Sequence, residues 1–170
     1  MRRFLIAVAT ILSAATAHAQ CADVAGVVGQ LDGARMKQTV EKLVSFGTRH
    51  TLSDTTSATR GIGAARRWIF DELTRVAAAS SGRMTVAYQS SMQQGPRTKN
   101  EPVEMINVVA TLRGTTDPDR IYIASGHYDS INSDVMNATL DAPGADDDAS
   151  GVAVIMELAR VLSHYPLEAT

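Results

Sequence analysis

Thirty-one residues constrain this chain more than any others, Ile121 to Gly151, where a β-forming run closes on a histidine and the 21 residues after it carry six aspartates. Ile121, Tyr122 and Ile123 follow a charged turn (117–120) and precede Ser125-Gly126, which predicts a short buried strand. His127 then falls at the carboxyl end of that strand, the edge of an open α/β sheet where ligands collect. Asp129 lies two residues on and shares a face with His127 along a continuing strand, so its carboxylate can orient the imidazole through the second ring nitrogen. At the far end, Asp146-Asp147-Asp148 stand in a row directly before an apolar helix. Adjacent carboxylates repel, and burying one without a counter-charge is costly. A divalent cation removes that cost. The other reading is a solvated acidic loop in which Asp148 or Ser150 caps the helix.

Taken together, Gly126-His127-Tyr128-Asp129-Ser130 and Pro143-Gly144-Ala145-Asp146-Asp147-Asp148-Ala149-Ser150-Gly151 resemble the zinc aminopeptidases of peptidase family M28. The resemblance implies His127 as a ligand of one Zn2+, Asp147 as the carboxylate bridging two, Asp129 as the support of the histidine, and a cis peptide between Asp147 and Asp148. It implies two Zn2+ per complete site and a peptide substrate with a free N-terminus. The implied fold class is α/β, a mixed β-sheet flanked by helices, zinc-exopeptidase-like. In that family the general base and a further ligand come from a Glu-Glu pair after the helix that opens at Val152, with an aspartate and a histidine later. The chain contains no Glu-Glu pair. The resemblance therefore implies a sheet incomplete at the C-terminus, with residues 20–170 as the amino-terminal part of an M28-type peptidase domain. His127 and Asp147 alone do not make a catalytic zinc site, which takes three protein ligands and a water, so the 170 residues by themselves are expected not to turn over substrate. Glutaminyl cyclases share a similar architecture with one zinc; the triple aspartate followed by Ser150-Gly151 resembles the peptidases more.

Met1-Arg2-Arg3, the apolar run from Phe4 to Leu12 and the Ala17-His18-Ala19 end predict a secretory signal peptide over residues 1–19, hence a secreted or periplasmic protein. The apolar run is shorter than the ~20 residues a membrane span needs. The sole cysteine, Cys21, has no partner within the chain. A net charge of −2 without basic clusters gives no footprint for nucleic acid or an anionic membrane surface.

Elsewhere the apolar spacing of Leu31, Met36, Val40, Leu43 and Val44 predicts an amphipathic helix that Gly47 ends. The segment 47–59 reads as a polar loop, with His50 a loop histidine rather than a ligand. A second helix is expected over 64–79 with Trp68 as a core anchor. Gly61 and Gly63 follow no strand and lack a third glycine, so they make no nucleotide fingerprint. Met84–Tyr88 and Met105–Leu112 read as strands joined without a helix, which makes them antiparallel if they pair. Val152–Leu162 is apolar nearly all round and reads as a helix buried in the domain. His164, just past its end, reads as a helix C-terminal cation. Asn137-Ala138-Thr139 is a glycosylation sequon, of consequence only in a eukaryotic secretory host.

Overall fold

Asp32 starts the helical part of the protein. Its backbone is extended (φ −113°, ψ 106°) and its carboxylate accepts the amides of Ala34 at 2.8 Å and Arg35 at 3.3 Å. This satisfies two of the amides that the first turn of a helix leaves without partners. In the computed structural model, which describes residues 24–170, α1 (Val24–Val28) is a short exposed turn before this cap and α2 (Gly33–Val44) follows it. The signal peptide expected over 1–19, and Cys21, lie outside the described residues.

α2 turns Leu43 fully inward and, with Val40 and Phe46, meets the apolar stripe of α3 (Gly61–Ala78), where Ala64, Ala65, Ile69 and Leu73 are buried. Trp68 is a half-buried partner of this cluster, its ring centroid 6.4 Å from that of Phe46. The two small alanines let the helices approach and the branched and aromatic side chains fill the remaining space. α4 (Gly151–Leu162) closes the cluster with Val152, and Ala149 just before it.

β1 (Met84–Gln93) and β2 (Val103–Leu112) form an antiparallel pair, Met84 opposite Leu112 and Gln93 opposite Val103. Both strands run further towards the hairpin than the alternation of residues indicates. Val86, Val108 and Ala110 pack on the helical core, and Tyr88 stacks on Phe70 at 4.5 Å. Among the described residues parallel pairing is confined to isolated bridges, Thr48 with Ala142 and Asp117 with Ala169.

Two expectations need correction. Ile121, Tyr122 and Ile123 are not a buried strand: they are 63%, 73% and 88% exposed. Their backbone is held only at the edge, where Tyr122 donates to the Thr170 carbonyl (2.8 Å) and Thr170 to that of Arg120 (2.9 Å). β-forming side chains become buried only when elements cover both faces of the strand, and no such layers lie over this run among the described residues. Nor is α4 buried all round. Val152, Ala153 and Val161 point inward with Glu157, while Val154 faces solvent. Glu157 reaches this buried face because its carboxylate is fully occupied. Arg160 donates to both oxygens (2.9 and 2.6 Å), the Asp32 amide donates to Oε1 (2.9 Å), and Arg35 lies 3.5 Å from Oε2. No helix among the described residues is long and apolar enough to cross a membrane.

Candidate metal centre

The turn Ala145–Ser150 carries the acidic run into α4. It is a wide helical turn interrupted at Asp147 (φ −111°, ψ 95°) and Asp148 (φ −132°, ψ 40°), and the peptide between these two is cis. The interruption sends consecutive side chains in different directions. Asp148 turns inward: Oδ1 accepts the Gly151 amide and Oδ2 the His127 amide, both at 3.0 Å. It therefore caps α4, as the solvated-loop reading had it, and at the same time fixes the backbone of the histidine. A Cβ on Gly151 would stand 2.2 Å from Asp148 Oδ1, so only glycine leaves room for that carboxylate. Ser150 does not cap; its hydroxyl donates to the Asp146 carbonyl at 2.8 Å.

Asp147 turns outward, to a side chain 86% exposed, and its Oδ1 lies 2.9 Å from His127 Nε2. On the other side of the ring His127 Nδ1 is 3.1 Å from Asp129 Oδ1, and Asp129 Oδ2 accepts the Thr51 hydroxyl at 3.1 Å. The three residues His127, Asp129 and Asp147 are thus brought together, whereas Asp146 makes no side-chain contact with them in this arrangement. His50 is buried beside them but spent: Nδ1 accepts the Leu52 amide (3.0 Å), so the proton sits on Nε2 and points to the Val135 carbonyl (3.1 Å). His164 is exposed at the far end of α4.

Both ring nitrogens of His127 therefore face carboxylate oxygens, and a neutral imidazole has one proton to give. With that proton on Nδ1 towards Asp129, Nε2 presents a lone pair to an anion. Either a second proton or a cation has to lie between them. Partial burial, the largest influence, pushes the imidazole's pKa down, but the charge and hydrogen bonds of Asp129, with Asp148 behind, outweigh it and leave the ring above its ordinary value. An imidazole nitrogen and a carboxylate oxygen meeting at an open surface, with the other nitrogen oriented by a carboxylate, is a donor set zinc accepts. It is also a partial one: among the described residues no three His, Cys, Asp or Glu side chains converge on a common point.

Residues 107–170 match the family described as Peptidase family M28. Over 142 residues the chain is 55% identical to a "Probable zinc metalloprotease" of Pyricularia oryzae, an alignment covering 84% of this chain and 28% of that protein. The chain belongs to peptidase family M28. It is also 32% identical over 140 residues to leucine aminopeptidase 1 of Aspergillus fumigatus, covering 82% of this chain and 32% of the relative. The solved structure of LapB from Legionella pneumophila shares the fold, with a TM-score of 0.57 at 24% identity, over 84% of this chain and 33% of that one. The M28 chain thus spans about a third of the length of these relatives.

One residue of this centre was not legible as such. Arg49, in what reads as a polar loop, is fully buried. Its Nε donates to the Tyr128 carbonyl (2.7 Å), Nη1 to those of Leu43 (3.0 Å) and Pro143 (2.8 Å), and Nη2 to that of Gly144 (2.9 Å). Burial pushes the guanidinium's pKa down, opposed by the charge of Asp129. An arginine among Thr and His carries no sequence signal of burial. What buries it is the convergence of carbonyls from segments far apart in the chain.

Proposed function

We propose that the protein carrying this chain is a secreted zinc aminopeptidase that releases residues from the free N-terminus of peptides. The observation that carries the reading is the His127 ring, with a carboxylate at each nitrogen and the Nε2 side open to solvent. The names of the M28 relatives, zinc metalloproteases and a leucine aminopeptidase, support the metal and the exopeptidase direction. The basic, apolar and Ala-x-Ala pattern over residues 1–19 supports export.

In this reading His127 and Asp147 would hold the metal, Asp147 as the carboxylate common to a pair. A bound zinc pair supplies Lewis acidity to the scissile carbonyl and an acidified water as nucleophile. The chain's own contribution is positional. Asp129 accepts the hydrogen bond of Nδ1–H and so fixes the tautomer that leaves the lone pair on Nε2. Thr51 holds Asp129 from the other side, and Asp148 holds the histidine's backbone. The buried carboxylate nearest in sequence, Glu157, is committed to Arg160 and the Asp32 amide and is not a proton acceptor for the site.

The test is hydrolysis of aminoacyl chromogenic substrates by the purified protein, with and without a chelator, alongside zinc stoichiometry. Asp147→Asn is expected to lower turnover by more than about 100-fold and Asp129→Asn by about 10–100-fold, the range for residues that orient a ligand, while Asp146→Asn does less than either. Equal losses at 146 and 147 would assign the bridge to the wrong aspartate. Cleavage of peptides with blocked N-termini would remove the exopeptidase reading, and one zinc with cyclisation of N-terminal glutamine would move it to the cyclases.

A further inference from the structure

Arg49 is buried without an anion. Among the described residues no carboxylate comes within ion-pair distance of it, and its partners are four carbonyls drawn from three places. Those are the last turn of α2 (Leu43), the residue after His127 (Tyr128), and the pair that leads into the acidic turn (Pro143, Gly144). A guanidinium is a planar fork of five donors in fixed directions. Carbonyls bound to one fork cannot change their mutual distances without losing a bond. Here the fork grips one residue beside His127 and another three before Asp147.

The neighbouring residues repeat the same join. The Ser130 hydroxyl accepts the Arg49 amide at 3.1 Å and donates to the Ala142 carbonyl at 2.6 Å, and the Ser130 amide donates back to the Arg49 carbonyl at 3.1 Å. Gly144 sits at φ +45°, and a Cβ there would meet Ser130 Cβ at 2.6 Å and Arg49 Nη2 at 3.0 Å, so the close approach of the loops requires glycine. His50 takes the Val135 carbonyl and Thr51 the Asp129 carboxylate. The tripeptide Arg49-His50-Thr51 thus holds the histidine loop at three points, and only Arg49 holds the acidic loop as well.

We infer that Arg49 is a positioning residue that sets the separation of the His127 loop from the Asp147 loop, and through it the affinity of the pair for a divalent cation. The second half of this inference rests on the metal reading of His127 and Asp147; the first does not. Lysine keeps the charge but offers three donors around one point, so it cannot span the four carbonyls.

The experiment uses the full protein, wild type and Arg49→Lys, and reads two quantities: zinc affinity, by titration with zinc alone against a competing chelator, and amide hydrogen exchange without metal. The expected result is zinc binding weakened about 10–100-fold, with protection lost together at residues 127–130 and 144–148 while the amides of α3 keep theirs. Wild-type affinity in Arg49→Lys, exchange that rises in one loop only, or an equal loss throughout α3 would overturn the inference. If wild type itself binds no zinc, the metal reading fails, and the paired loss of protection still decides the role of Arg49. Should Arg49→Lys fail to fold, the wild-type protein gives the answer by NMR. Zinc is expected to shift the Arg49 Nε–H resonance and slow its exchange, and a resonance indifferent to zinc would overturn the coupling.

Discussion

Two charges lie at nearly the same depth in this protein and are accommodated in opposite ways. Glu157 is 5% exposed and is met by two arginines and a backbone amide; Arg49 is fully buried and is met by carbonyls alone. The partners of Glu157 reach water, with Arg35 58% and Arg160 26% exposed at the side chain. If the carboxylate is removed, these cations rehydrate. The partners of Arg49 are main-chain oxygens drawn into the interior by the arginine itself. If it is removed, they stay where they are without donors. The depth of a charge therefore says little about the cost of losing it, which is set by what is left behind.

The largest effect expected from this contrast is at Arg49. Arg49→Ala should lower the unfolding free energy by about 3–5 kcal/mol, a large share of the ~5–15 kcal/mol a domain typically has, as read by urea denaturation. A cost near 1 kcal/mol would break the comparison. Glu157→Gln should cost about 1–2 kcal/mol in the same assay, because partly exposed partners screen the pair.

The two sites also differ in pH response. The Glu157 carboxyl is held below its ordinary value chiefly by the Arg160 hydrogen bonds, against burial, with help from the Asp32 amide and the charges of Arg160 and Arg35. A depressed carboxyl stabilises the fold above its unfolded value near 4.5 and loses that contribution as pH falls through the folded value. The melting temperature of wild type should thus fall towards that of Glu157→Gln between about pH 5 and 3, while the difference between wild type and Arg49→Lys stays level over the same range. The smallest change is Asp32→Ala, about 1 kcal/mol. It removes the cap of α2 but keeps the Asp32 amide that Glu157 accepts, and a loss as large as that of Glu157→Gln would mean the two are not separable.

The first two long helices were legible because apolar spacing reports a buried face directly: Leu43, Ile69 and Leu73 all lie where periodicity places them. Ile121–Ile123 were not, because β-forming composition says nothing about whether layers exist to cover a strand. Nothing in the sequence marks Glu157 as a buried carboxylate, and only its pairing in three dimensions with Arg160 and the Asp32 amide at the α2 cap shows that it belongs inside. At the candidate centre the shared face of His127 and Asp129 could be read from their spacing, whereas Asp147 was singled out among three adjacent aspartates only by the resemblance to family M28. Arg49 could be read in neither way, since its partners stand 6, 79, 94 and 95 positions away and are backbone atoms, which have no residue identity to read.

The Asp148 carboxylate, shared between the His127 and Gly151 amides, makes the centre behave like pliers with one jaw welded to the handle. The histidine's own amide is coupled to the first amide of α4 through a single side chain, and the residues after it are held by Arg49, so the main chain at His127 is fixed from both directions. Asp147, the adjacent residue, points the other way into solvent and can swing about its own torsions. The gap between Nε2 and the carboxylate is therefore adjusted from one side. An ion arriving there would find the nitrogen already in place and would draw the aspartate onto itself.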